Sequence, residues 1–199
     1  MIITISRQYG SGGSQVAKIL AERMGVWCYD RDILTIAAER IGNEELTEDT
    51  INDLNYKRND VASAGITGVM GMGNIPIYNQ MFLEQAKIIR KLANYGSAVF
   101  LGRCADYILK YIKNCTSVYL YADREFRKNR VKEIYGSNAE IMDKEEKNRA
   151  DYYNYYTGNR WGDINNYDFA INTSKVSFEE AADLIYRFAK DKQKNLKDR

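Results

Sequence analysis

The residues best suited to chemistry stand close to the start of the chain, in Arg7-Gln8-Tyr9-Gly10-Ser11-Gly12-Gly13-Ser14-Gln15. Glycines let a backbone approach a ligand closely, and N–H groups where a helix begins favour negative charge. The β-rich run Ile2-Ile3-Thr4-Ile5-Ser6 leads into this turn, and a helical pattern starts at Ser14. Strand, glycine turn and helix in that order build an anion site, so Gly10, Ser11, Gly12, Gly13, Ser14 and Gln15 read as a phosphate cradle. The usual phosphate-binding loop runs Gly, four residues, Gly, Lys, then Ser or Thr. Here Arg7 stands at the first glycine and Gly13 at the lysine. Lys18 lies one helical turn beyond Ser14 and is expected to point away. Two readings of Arg7 stay open: it supplies the missing positive charge, or it pairs with an acid such as Asp106 to brace the turn.

Composition narrows the chemistry. The 199 residues suffice for one domain with a real core, and a net charge of +2 creates no field suited to nucleic acid. The densest basic stretch, Lys190 to Arg199, also carries Asp191 and Asp198 and reads as a solvated helix end. The absence of histidine removes Ser-His-Asp and Cys-His nucleophile pairs, His-ligated zinc and imidazole acid–base work. Cys28, Cys104 and Cys115 show no metal-ligand spacing, which implies inert thiols in a reducing compartment. No signal-peptide pattern or long apolar run occurs, so a soluble cytoplasmic protein with no membrane partner is expected. Carboxylates, arginines, lysines, tyrosines, backbone amides and a hard metal ion remain. Phosphoryl transfer suits that set, because it is mostly positioning and charge stabilisation.

The elements that must position these groups alternate. After the first strand, Val16, Ile19, Leu20 and Met24 keep helical spacing up to Gly25. Val26 to Tyr29 reads as a strand ending at Asp30, and Asp32 caps a helix through Ile41. Thr47 to Arg58 reads as a polar helix, and Gly65 to Asn74 as a glycine-rich apolar flap before Pro76. Phe82 to Ala93 is an amphipathic helix, and Ala98 to Leu101 a buried strand that delivers Gly102-Arg103. A short helix from Asp106 to Tyr111 and a strand from Ser117 to Tyr121 follow, the strand ending at Asp123. Arg124 to Tyr135 is a basic helix; Arg124, Arg127, Lys128 and Lys132 read as its solvated face. Asp143 to about Tyr156 is a charged helix whose four tyrosines serve packing. Asp168 to Thr173 is the last strand, and Ser177 with Glu180 forms a capping box. Alternation without hairpin turns implies an α/β domain with a parallel sheet. Ligands of such sheets bind beyond the carboxyl ends of the strands, where Arg7, Asp30, Arg103 and Asp123 fall.

The order of these elements resembles that of the nucleoside monophosphate kinases. Ile3 to Ser14, Gly102-Arg103-Cys104-Ala105-Asp106, Tyr156 to Gly162 and Asn166 to Ser174 are most similar to the cytidylate kinase-like group of P-loop proteins. The resemblance implies a three-layer P-loop kinase fold. Its central sheet has five parallel strands in the order 2-3-1-4-5. It also implies an acceptor-binding insertion at about 43–79 and a lid at about 136–163. Members transfer the γ-phosphoryl of ATP, with Mg2+, to a pyrimidine nucleoside monophosphate. By position, Gly10 to Gln15 would hold the donor phosphates and the Ser14 hydroxyl would meet Mg2+. Asp30 and Arg103 match the acceptor side, and Arg130 and Arg149 match arginines that neutralise the moving phosphoryl.

The expected function is ATP-dependent phosphoryl transfer to a CMP- or dCMP-like nucleoside monophosphate, or to a similar small acceptor. Arg7, Arg103, Arg130 and Arg149 are the candidate catalytic residues. Two alternatives are a non-catalytic nucleotide or phosphate sensor that lost the loop lysine, and a kinase of a non-nucleotide metabolite.

Overall fold

The computed structural model describes residues 1–42, 77–136 and 138–197. The chain opens with β1 (Ile2–Arg7), α1 (Gly13–Met24), β2 (Cys28–Tyr29) and α2 (Asp32–Ile41). It resumes with α3 (Ile77–Tyr95), β3 (Ala98–Leu101), a short α4 (Ala105–Ile108) and β4 (Cys115–Tyr121). Then come α5 (Arg124–Tyr135), α6 (Ala139–Thr157), a 3-10 turn at Ile164–Asn166, β5 (Phe169–Asn172) and α7 (Phe178–Lys197). Every strand pair is parallel and the order is β2-β3-β1-β4-β5, as the resemblance implied. The expected polar helix at Thr47 to Arg58, the Gly65 to Asn74 flap and most of the acceptor insertion lie outside the described residues.

The central strand explains the layering. All of β1 is buried, as an apolar run covered on both faces requires. Ile3 and Ile5 pack with Val16 and Leu20 of α1 and with Ala181 and Ile185 of α7. Ile2 belongs to the opposite layer, with Ile33 and Leu34 of α2, Ile89 of α3 and Phe100. The period of two along the strand thus splits the core into two slabs. Burying each of these branched side chains contributes about 1.5–3 kcal/mol.

Several boundaries move for local reasons. Helix α6 begins at Ala139 rather than Asp143, because the Asn138 side chain accepts from Ile141 N–H at 3.0 Å and caps it. β4 begins at Cys115 rather than Ser117, since Ile2 already pairs with Cys115. β2 shrinks to two residues that pair only with β3 at the sheet edge. Helix α4 stops at Ile108, short of Tyr111. The capping box forms as expected: Ser177 N–H donates to Glu180 at 2.8 Å and Glu180 N–H to the Ser177 hydroxyl at 3.1 Å.

The α2–α3 slab turns polar near the carboxyl ends of the strands. Ser6 donates to Asp106 Oδ1 at 3.2 Å and Tyr153 to Asp106 Oδ2 at 2.7 Å. Burial pushes the Asp106 carboxyl up from the usual range, although both hydrogen bonds pull it down. A raised folded value favours folding fully only below the ordinary carboxylate pKa, and the benefit is lost as pH rises through the folded value. Thermal melts from pH 4 to 7 are expected to show the wild type losing stability relative to Asp106→Asn as pH rises. A constant difference across that range would contradict it. The thiols are poor nucleophiles: burial raises Cys28 to about 11 and Cys115 to about 12, and Cys104 well above its ordinary value.

Candidate active site

The loop between β1 and α1 is shaped by two glycines with φ of 81°, Gly10 and Gly12. A Cβ on Gly10 would lie 2.9 Å from Val131 Cγ2, and one on Gly12 only 2.4 Å from the Phe178 ring. The loop carbonyls are tied away. Arg127 Nη1 donates to Tyr9 O at 3.3 Å, while its Nε donates to Ala122 O at 3.2 Å. The Ser11 hydroxyl donates to Gln8 O at 2.9 Å, and Thr173 Oγ1 lies 2.7 Å from Ser11 O. Gln8 in turn accepts from Ala122 N–H at 3.1 Å. By contrast, the N–H groups of Gly10, Gly12, Gly13 and Ser14 make no hydrogen bond to any described residue. Carbonyls engaged and amides left over, at the start of a helix, is an arrangement suited to an anion.

Helix α6 closes over this loop. Its inward face runs Met142, Glu146, Arg149 and Tyr153, at helical spacing. Glu146 accepts from Tyr9 N–H at 2.6 Å and from the Trp161 indole at 2.8 Å. Arg149 Nη1 donates to Arg7 O at 3.0 Å, and its guanidinium lies 5.0 Å from the Tyr9 ring centre. Arg130 of α5 sits 4.6 Å over the Phe178 ring. One open pocket is therefore lined by the glycine loop together with Arg7, Arg130 and Arg149. Charge-assisted bonds of the Glu146 kind are worth about 1.5–3 kcal/mol. Glu146→Ala is expected to lower the melting temperature and shift the Trp161 emission to the red. Unchanged emission would show that the clasp does not form in solution.

The expected site residues divide. Arg7, Gly10, Gly12, Gly13, Ser14, Gln15, Arg130 and Arg149 line the pocket. Ser11 is wholly buried and braces the loop instead. Asp30 faces Arg7, with Arg7 Nη2 at 3.7 Å from its carboxylate, so among the described residues it is Asp30 rather than Asp106 that pairs with Arg7. Arg103 is 2% exposed, is not among the pocket residues, and follows Gly102 in a left-handed run with Cys104. That run strains two side-chain-bearing residues at the strand end, by about 1–2 kcal/mol each. Asp123 stays outside, held by Lys175 and Asn172, which keep its carboxyl at about 2. Arg127 is buried rather than part of a solvated face, because it braces Tyr9 and Ala122. Tyr153 and Trp161 pack against each other at 5.2 Å, and Phe82 stacks on Tyr156 at 4.0 Å, so these aromatics pack α6 against α3 and against the segment that follows α6.

The residues suit a nucleotide's phosphates: loop amides with no partner among the described residues and three guanidinium groups line one pocket. No cluster of three or more Cys, Asp or Glu able to hold a metal occurs among the described residues. The Ser14 hydroxyl is the one candidate ligand from the expected set that lines the pocket.

Comparison with known proteins agrees with the geometry. A family model described as the cytidylate kinase-like family matches residues 2–175. The chain belongs to the cytidylate kinase-like family. No curated protein matches it. Among solved structures, an uncharacterized protein from Eubacterium ventriosum ATCC 27560 is similar at TM-score 0.70 and 29% identity, over 96% of this chain and 98% of that one. A shikimate kinase from Acinetobacter baumannii has TM-score 0.54 at 17% identity, covering 94% and 91% of the two chains. A gluconokinase from Sinorhizobium meliloti 1021 has TM-score 0.54 at 15% identity, covering 95% and 93%. The last two share the fold. Membership of a kinase-like family with a P-loop kinase fold makes phosphoryl transfer the general chemistry of this chain. No helix among the described residues is long and apolar enough to cross a membrane.

Within this cytidylate kinase-like chain, sequence reasoning missed Glu146, Arg127, Thr173 and Phe178. Glu146 had a readable signal, three residues before Arg149 on the same helix face. Arg127 had another, four residues before Val131, which is fully buried.

Proposed function

We propose that the protein transfers the γ-phosphoryl of ATP to a nucleoside monophosphate of the CMP or dCMP kind, or to a similar small acceptor. The observation that carries this reading is the meeting of the unbonded loop amides with Arg7, Arg130 and Arg149, which come from three separate elements. An acceptor oxygen attacks the γ-phosphorus while the bond to the β–γ bridging oxygen breaks and ADP leaves. Gly10 to Gln15 hold the donor phosphates by backbone amides. Arg130 and Arg149 offset the charge on the moving group, and the helix carrying Arg149 excludes water from it. Asp30 serves the acceptor side, and Arg103, buried at the end of β3, does not reach the described pocket. Mg2+ carried in with ATP would neutralise phosphate charge, with the Ser14 hydroxyl as its protein ligand.

Gly13 in the lysine position favours a second reading, a nucleotide or phosphate sensor without turnover. A coupled ADP-release assay with ATP, Mg2+ and a panel of CMP, dCMP, UMP, AMP, shikimate and gluconate separates the two. Acceptor-dependent ADP release with CMP or dCMP is expected. ATP binding with no release on any acceptor would favour the sensor, and release only with shikimate or gluconate would move the acceptor outside nucleotides.

A further inference from the structure

Gly10 and Gly12 must be glycine for two reasons, a φ of 81° and a neighbour in contact. Gly13 differs. It is the first residue of α1 and lies outside the positive-φ set, so its backbone accepts any side chain. Among the described residues, the nearest obstacle to a side chain there is Arg7: a Cβ would stand 2.6 Å from Arg7 Cγ and 2.8 Å from Arg7 Cβ. The space through which a side chain at 13 would leave the helix is therefore filled by the aliphatic stem of Arg7. That stem is largely buried, with the side chain 7% exposed, and both residues line the pocket. Lys18 is exposed on α1 and is not among the pocket residues.

We infer that Arg7 and Gly13 are one reciprocal exchange. The cation that a phosphate-binding loop takes from the first turn of its helix is here delivered from the last residue of the preceding strand, and position 13 is glycine to let the arginine stem pass. The inference rests on the phosphoryl-transfer reading of the loop and assigns its principal phosphate-binding cation. The 3.7 Å approach of Asp30 orients the guanidinium from the acceptor side, so Arg7 lies between the two substrate positions. The pattern also makes a directed prediction. Arg7→Gly combined with Gly13→Lys rewrites positions 7–14 as Gly, four residues, Gly, Lys, Ser, the common loop. Because the vacated stem volume is where the new side chain must run, each change should fail alone and the pair should work.

ATP affinity measured by calorimetry with Mg2+, alongside melting temperature, tests this. Arg7→Met keeps the stem and removes the charge, and is expected to weaken ATP binding at least tenfold with the fold intact. Gly13→Lys alone collides with the stem and is expected to weaken it comparably. The double variant Arg7→Gly/Gly13→Lys is expected to recover affinity to within about fivefold of wild type, and Lys18→Ala to stay within twofold. Wild-type affinity in Arg7→Met, or a double variant that melts normally yet binds no better than the worse single change, overturns the exchange alone. A double variant that does not fold leaves Arg7→Met to decide. A wild-type chain that binds neither ATP nor pyrophosphate overturns the phosphate-site reading itself, and the exchange with it.

Discussion

Replacing Arg149 by methionine is expected to lower the phosphoryl-transfer rate by about a thousandfold, with the KM for ATP changing much less. Its guanidinium reaches the pocket from α6, anchored by Arg7 O at 3.0 Å and by the face of the Tyr9 ring. An arginine brought to the moving phosphoryl in that way acts on charge that develops only in the transition state. Such groups are worth roughly 10^3 to 10^5 in turnover. Arg149→Lys should recover little, because a point charge cannot hold Arg7 O and a phosphate oxygen with one planar fork. Steady-state kinetics with varied ATP checks the split. A change confined to KM would mean that Arg149 only docks α6 on the loop.

Gly12→Ala carries the tightest clash of a new methyl group among the described glycines. The residue has a φ of 81°, and its new Cβ would meet the Phe178 ring at 2.4 Å. The left-handed backbone costs about 1–2 kcal/mol with a side chain, and forcing apart a packed contact about 1–3 kcal/mol more. For a domain of this size the melting temperature should fall by roughly 5–15 °C. Phe178 cannot simply move, because the Arg130 guanidinium lies over its ring at 4.6 Å and would be displaced from the pocket with it. Phosphate binding is therefore lost along with stability. Gly12→Ala/Phe178→Leu should restore part of the stability and not the loop conformation. A melt unchanged by Gly12→Ala would show that the ring does not pack there.

Much of this was legible in local pattern. The apolar run of β1, the spacing of α1 and the capping box at Ser177 are short-range signals, and each formed where it was expected. The shape of the glycine loop was equally legible, since it depends on residues adjacent in sequence. What the pattern could not carry was contact between distant segments. Arg7 lies beside Asp30 and not Asp106, because Ser6 and Tyr153 already occupy the Asp106 carboxylate. Arg127 looked like one more cation of a basic helix, yet its partners are the carbonyls of Tyr9 and Ala122, the first of them far away in sequence. Asp123 ends a strand as expected and still misses the pocket, because Lys175 and Asn172 hold it. The reason for glycine at position 13 is likewise a side-chain stem six residues upstream, visible only once strand and helix are folded together.

Phosphorus NMR of ATP and Mg2+ with the protein and either CMP or dCMP reads directly whether this pocket moves a phosphoryl group from ATP to a small acceptor. The γ-phosphate signal is expected to decline while ADP and the acceptor's diphosphate appear in equal amounts. A γ signal that stays constant with both acceptors, or that converts only to inorganic phosphate, would contradict it.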